Sequence, residues 1–168
     1  SFGEISIQMK NILLVIIIAL ILQGCVSTKI NSMQFEKIIY HSSMCFGSCP
    51  MLDIEINKNK EVKLKRQLFK IKAEVDSLNS GNFKGKLSNK QMNKLLQVLE
   101  ASNYENLKFP NVDCCDGVVT TFIIYANGKK TFLKSMMPPI EAEQFINYFK
   151  NLALEIQLPK TNEEFEIE

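Results

Sequence analysis

The sequence predicts an α+β domain, an antiparallel sheet of about five or six strands with two helices packed on one face. Three observations point there. Leu52, Ile54 and Ile56 alternate with Asp53, Glu55 and Asn57, the two-residue period of a strand buried on one face and wet on the other. Ser88 followed by Gln91 is a capping box, and behind it Met92, Leu95, Leu96 and Leu99 form one helical stripe. Asn127-Gly128 joins two strand-like runs, 122–126 and 129–133, as the dipeptide that best accepts the positive φ of a tight hairpin.

The amino-terminal elements describe export. Lys10 and Asn11 precede an apolar run over 12–22, which as a helix is about 16 Å long, roughly half a bilayer's hydrocarbon core. That is too short to span a bilayer and fits the apolar region of a secretory signal. Leu22-Gln23-Gly24-Cys25 follows directly and resembles the lipobox of bacterial lipoproteins. The resemblance implies cleavage before Cys25, lipidation of its thiol, and Met9 as the initiator, with residues 1–24 as upstream sequence and signal peptide. Residues 25–34 are then the lipidated cysteine and a polar tether, and the membrane is a partner through the acyl chains on Cys25. No acidic residue occurs in Val26-Ser27-Thr28-Lys29, which by resemblance to lipoprotein sorting rules places the protein at the outer membrane, facing the periplasm.

The domain proper is expected over 35–158. A short strand over 37–42 leads into a cysteine loop, the alternating strand over 52–57 follows, and Asn57-Lys58-Asn59-Lys60 turns the chain into a strand beginning at Val62. The alternation changes phase at Leu68-Phe69 and continues through Ile71, Ala73 and Val75, so a bulge or turn must absorb one residue. Residues 77–82 read as loop. After the first helix and an irregular stretch holding Pro110, residues 118–125 are apolar or β-branched throughout, the composition of a central strand covered on both sides. Pro138-Pro139 sets a second helix start, with Glu141 and Glu143 favourable to the dipole. Its buried face is Phe145, Ile146, Phe149, Leu152, Ala153 and Ile156. Residues 159–168 read as an acidic, disordered tail.

The chain has 168 residues, a formal net charge of +2 and 46% hydrophobic residues, which excludes wholesale disorder. Five cysteines less Cys25 leave Cys45, Cys49, Cys114 and Cys115, an even number in an exported domain and hence disulfide candidates. A Cys45–Cys49 bond closes about five residues and is worth roughly 2 kcal/mol in the chain-entropy model. A bond from this loop to Cys114 or Cys115 closes about 65–70 residues and is worth roughly 4.4 kcal/mol. Entropy favours the long bridge and local geometry the short one. Two sharper readings use the same sulfurs: zinc held by His41, Cys45, Cys49 and Cys114, or thiol–disulfide exchange.

Cys45-Phe46-Gly47-Ser48-Cys49-Pro50, followed by the alternating strand, resembles the signature of the domain of unknown function 6438 family. The resemblance runs from about residue 35 to 154 and includes Gly81-Asn82-Phe83-Lys84-Gly85-Lys86-Leu87-Ser88 entering a helix, Asp116-Gly117 before a late strand, and the Asn127-Gly128 hairpin. It implies a compact α+β domain, often carried on bacterial lipoproteins, with no established activity. The Cys114-Cys115 pair and the Asn57 to Lys60 turn, where glycine is more common, depart from the family pattern.

Little other chemistry is written in the chain. Asp53 and Glu55 are the outward face of a strand and not a glycosidase pair. Ser42 and Ser43 have no base but His41, and no glycine loop could cradle phosphate. A single Arg and no interleaved aromatics make nucleic acid an unsuitable partner. Lys58, Lys60, Lys63, Lys65, Arg66, Lys70 and Lys72 crowd one hairpin and suggest attraction to acidic lipid or envelope polymer. The sequence therefore reads as a cell-envelope lipoprotein with a non-catalytic binding or structural domain and no cofactor, whose partner is an envelope protein or polymer. Its contact surface is expected at Phe46, Gly47 and Ser48, facing Asp116. The alternative is a redox or zinc protein using Cys45, Cys49, Cys114 and Cys115.

Overall fold

The computed structural model describes residues 33–46, 48–71, 74–112 and 116–168. The expected signal, the lipidation site Cys25 and the tether up to residue 32 lie outside these, as do Gly47, Cys114 and Cys115.

Among the described residues a single sheet carries β1 (Phe35–Ser42), β2 (Met51–Asn57), β3 (Glu61–Gln67), β4 (Gly81–Lys86), β5 (Thr120–Ala126), β6 (Lys129–Ser135) and β7 (Lys160–Thr161). Helix α1 (Asn89–Ala101) follows β4, and α2 (Glu143–Glu155) follows β6. The strand order is β6-β5-β1-β2-β3-β4-β7, with every neighbouring pair antiparallel. The fold is α+β, with more strands than the sequence predicts. Register ties Ser135, Thr120, Ser42, Leu52, Arg66 and Gly81 into one rung. The loops 43–50, 68–80 and 136–139, and the lead into β5, all leave from this end, here called the loop pole.

Alternation assigns the two faces. Ile38, Tyr40, Leu52, Ile54, Ile56, Leu64, Phe122 and Ile124 point to the helices and are essentially inaccessible to water. Against them α1 presents Met92, Leu95 and Leu99, and α2 presents Phe145, Phe149 and Ala153. The Phe122 ring stacks on Phe145 at 4.3 Å between centroids, and Phe149 meets Phe122 edge-on at 5.4 Å. These contacts carry the core, since each buried aromatic removes on the order of 150–250 Å² from water. The expected capping box opens α1: Ser88 Oγ accepts from the Gln91 N–H at 3.2 Å, and Gln91 Oε1 accepts from the Ser88 N–H at 2.9 Å. Arg66 is a charge on this face. Its guanidinium lies 4.5 Å from the Phe83 ring and donates to the Ala153 and Leu154 carbonyls, which closes the C-terminus of α2 where the dipole is negative.

Three expectations need correction. The strand beginning at Val62 does not run on past Leu68: β3 ends at Gln67, Ser80 Oγ takes the Leu68 N–H, and among the described residues of the second alternation there is an isolated Phe69–Val75 bridge. The fourth strand lies later, at Gly81–Lys86; its first two residues fall in the stretch 77–82 read as loop, and the rest in the run read as leading into the helix. Phe83 is its one buried apolar side chain, and a Cβ on Gly85 would stand 2.8 Å from Leu158 Cδ2, so the Leu158 side chain would have to move.

The third correction concerns residues 159–168, which are not a disordered tail. Lys160–Thr161 pairs with β4, and residues 162–168 return across the sheet face that the helices leave bare. Glu163 bonds Lys84 of β4 at 2.8 Å, Phe165 is 9% exposed with Lys65 of β3 over its ring, and Glu168 reaches β1, β5 and β6. This segment is called the strap below. Its acidity, which argues for disorder in isolation, is met by lysines on three different strands.

Candidate functional site

The loop pole holds the residues the sequence singled out. Cys45 and Cys49 form a disulfide with their Cα atoms 5.5 Å apart, so the local pairing is the one present. The loop they close is tied to the segment before β5: the Phe46 N–H donates to the Asp116 carbonyl at 3.3 Å, the Ser43 N–H to the Val119 carbonyl at 3.0 Å, and the Val119 N–H to Ser43 Oγ at 2.8 Å. Phe46 and Asp116 therefore meet through their backbones, while the Phe46 side chain stands 88% exposed. Ser48 is exposed beside it. Gly47, Cys114 and Cys115 lie outside the described residues.

Phe46 is not alone. Met44 in the same loop, Ile71 and Leu78 in the β3–β4 loop, and Met137 and Ile140 ahead of α2 are all more than half exposed. The rung beneath them spans roughly 24 Å at about 4.8 Å per strand. Large apolar side chains held on several loops at one end of a rigid sheet are uncommon on a surface that meets only water. Among the described residues, the hydrogen bonds that fix this loop come from backbone groups and Ser43 Oγ.

Of the four residues of the zinc alternative, Cys114 lies outside the described residues, and the other three are engaged with other partners. The Cys45 and Cys49 sulfurs are bonded to each other, and both His41 ring nitrogens are used elsewhere. His41 Nδ1 lies 2.8 Å from Asp53 Oδ1 across the β1–β2 pair, and Nε2 lies 2.7 Å from the Glu168 carbonyl oxygen in the strap. Two acceptors on two ring nitrogens are satisfied together only by imidazolium. The Asp53 bond accordingly lifts the His41 pKa above its ordinary value, against partial burial and with help from Glu168.

The Glu168 carboxylate is gripped in turn by Lys130 at 2.6 Å, by the Tyr125 hydroxyl at 2.6 and 2.7 Å, and by Lys37 at 3.2 Å. These donors, Lys130 foremost, hold its pKa down at about 2. Sequence reasoning missed this cluster. The available signal was register: a strand that alternates strictly puts His41, Asp53 and Lys65 on one polar row, and an acidic tail is the natural complement of a row rich in lysine. The expected lysine patch does not exist as a unit. Lys63 pairs with Glu55, Lys65 covers Phe165, Lys60 bonds Asn89, and Arg66 points to the opposite face; Lys72 lies outside the described residues.

The family model for a domain of unknown function (DUF6438) matches residues 36–153. The chain belongs to the DUF6438 family. No curated protein matches it. The DUF6438 segment contains the cysteine loop, the seven-residue hairpin strands β5 and β6, and both faces of the sheet, but it stops before β7 and the strap. Among the described residues of this DUF6438 protein, no helix is long and apolar enough to cross a membrane.

Proposed function

We propose that the protein is a cell-envelope lipoprotein, anchored through acyl chains on Cys25, whose DUF6438 domain is a non-catalytic module that binds an envelope protein at its loop pole. The observation that carries the binding reading is Phe46, fully presented on a loop fixed by the Cys45–Cys49 disulfide and by backbone bonds to Asp116 and Val119. A rigid aromatic anchor costs little entropy on docking and is the residue type that dominates contact energies. Phe35 begins β1 at the end opposite the loop pole, about 24 Å away at ~3.4 Å per residue.

Two measurements test this reading. Radiolabelled palmitate is incorporated by the intact chain and not by Cys25→Ser, which leaves the membrane fraction; equal labelling of the two overturns the anchor. A photo-crosslinking side chain placed at Phe46 gives a discrete envelope adduct in living cells, while the same group at Lys150 gives none. Absence of an adduct at position 46 overturns the loop pole as the contact surface.

A further inference from the structure

The strap lies on a surface that the DUF6438 segment builds without it. Residues 36–153 supply Lys37, His41, Lys65, Lys84, Tyr125 and Lys130, all on the sheet face opposite the helices, and the strap is added from outside the matched segment. Asp53 and Glu55 are the carboxylates that β2 places among them, and each is already engaged, by His41 and by Lys37 and Lys63. Stripped of the strap, this face is cationic with an apolar centre: Ile39 and Ile123 sit side by side on β1 and β5, inaccessible to water but outside the helix-side core. The strap answers each feature in order. Glu163 meets Lys84, Phe165 buries its ring beside Lys65, and Glu168 takes the three donors on β1, β5 and β6. Glu164 and Glu166 point to water.

We propose that this face is a binding site for acidic peptide segments of the pattern Glu-x-Phe-x-x-Glu presented by a partner protein, with residues 163–168 as its resident occupant. The three gripped positions are separated by side chains that touch solvent, so the face reads spacing and charge sign and leaves the intervening residues free. The surface continues past Glu163 into an open groove of about 640 Å³ between β2, β3, β4 and β7, where Lys63, Lys84 and Lys86 stand with Glu55 and Glu61, while the Lys160 ammonium turns away to the Ser77 carbonyl. That gives a longer acidic peptide a place to extend beyond the length of the strap. The site is separate from the loop pole, and neither proposal depends on the other.

The test uses the full chain and a fluorescent peptide of sequence Asn162 to Glu168. A covalently linked strap competes at an effective concentration on the order of millimolar, so a micromolar peptide is held back by roughly 100-fold or more. Anisotropy should therefore show the peptide binding about 100-fold more tightly to the chain carrying Phe165→Ala and Glu168→Gln than to the unsubstituted chain. Added Lys130→Glu should remove that gain, and a scrambled peptide of the same charge should bind at least about 10-fold more weakly. Should the double variant lose its cooperative melt, Glu168→Gln alone serves, because its exposed carboxylate touches only Lys37, Tyr125 and Lys130. Equal peptide affinity for folded variant and parent overturns the proposal. So does equal binding of the scrambled peptide, which would leave only unspecific charge. A concentration-dependent dimer that disappears in the variant without peptide binding assigns the face to strap exchange between copies, and overturns it as well.

Discussion

The two faces of this sheet are covered in different ways. Helices α1 and α2 cover one with Leu95, Leu99, Phe145 and Phe149 against isoleucines, leucines and aromatics. The strap covers the other with two glutamates and one phenylalanine against lysines, a tyrosine and a histidine. Apolar burial scales with area and is indifferent to ionic strength. Charge pairing between half-exposed groups is weak and yields to salt and pH. One face therefore rests on apolar burial, and the other holds its segment by contacts that salt and pH weaken, around the ring of Phe165.

The sharpest break in that contrast comes from matched aromatics. Phe149→Ala empties the centre of the helix side and should cost about 3–5 kcal/mol in urea unfolding, unchanged by added salt. Phe165→Ala on the strap side should cost about 2 kcal/mol at most, and should free the strap while the core transition stays cooperative. If the two losses are equal, the strap is part of the core and the contrast fails. Replacing both Cys45 and Cys49 by serine should lose roughly 2 kcal/mol, the value for closing so short a loop. Phe46→Ala in the same loop should stay within about 0.5 kcal/mol, because its side chain touches little besides water.

The smallest effects are the most diagnostic of charge. His41 has a raised pKa in the folded chain, so its contribution is complete below about 6.5, its unfolded value, and is lost as pH climbs through the raised one. Glu168, held at about 2, contributes fully above its ordinary value of 4.5 and is lost as pH falls toward 2. The strap should thus be docked most firmly between about pH 4.5 and 6.5, read from the ring resonances of Phe165. His41→Gln should abolish the alkaline limb of that profile and Glu168→Gln the acid limb. High salt should release the strap in both limbs and leave the helix-side resonances unmoved.

The same division explains what could be read from the sequence. The helix side was legible because burial imposes periodicity: Leu52, Ile54 and Ile56, the Ser88–Gln91 box, and Phe145 with Phe149 announce their faces by spacing alone. The contact of Phe46 with Asp116 was legible too, as two loops flanking strands that become neighbours. β4 was not, because Gly81 and Gly85 stand on its inward side and leave only Phe83 to mark a period. The strap was illegible for a deeper reason. A short acidic segment has no local pattern, and its fold depends on charges more than 75 residues away in the chain, Lys84 and Lys37 among them. Residues 69–75 misled because alternation there is genuine but, among the described residues, unpaired beyond one bridge.

The first strand among the described residues is an interior strand of the sheet, with β2 on one side and β5 on the other, and it runs from Phe35 directly into the cysteine loop. A pull between an anchor ahead of Phe35 and a partner seated beyond Ser42 is then directed along β1 itself. Such tension would run through the covalent backbone of β1, which the ladders to β2 and β5 hold extended on both sides. If the proposed anchor and partner hold its two ends, tension would pass between them through a strand that is paired on both sides.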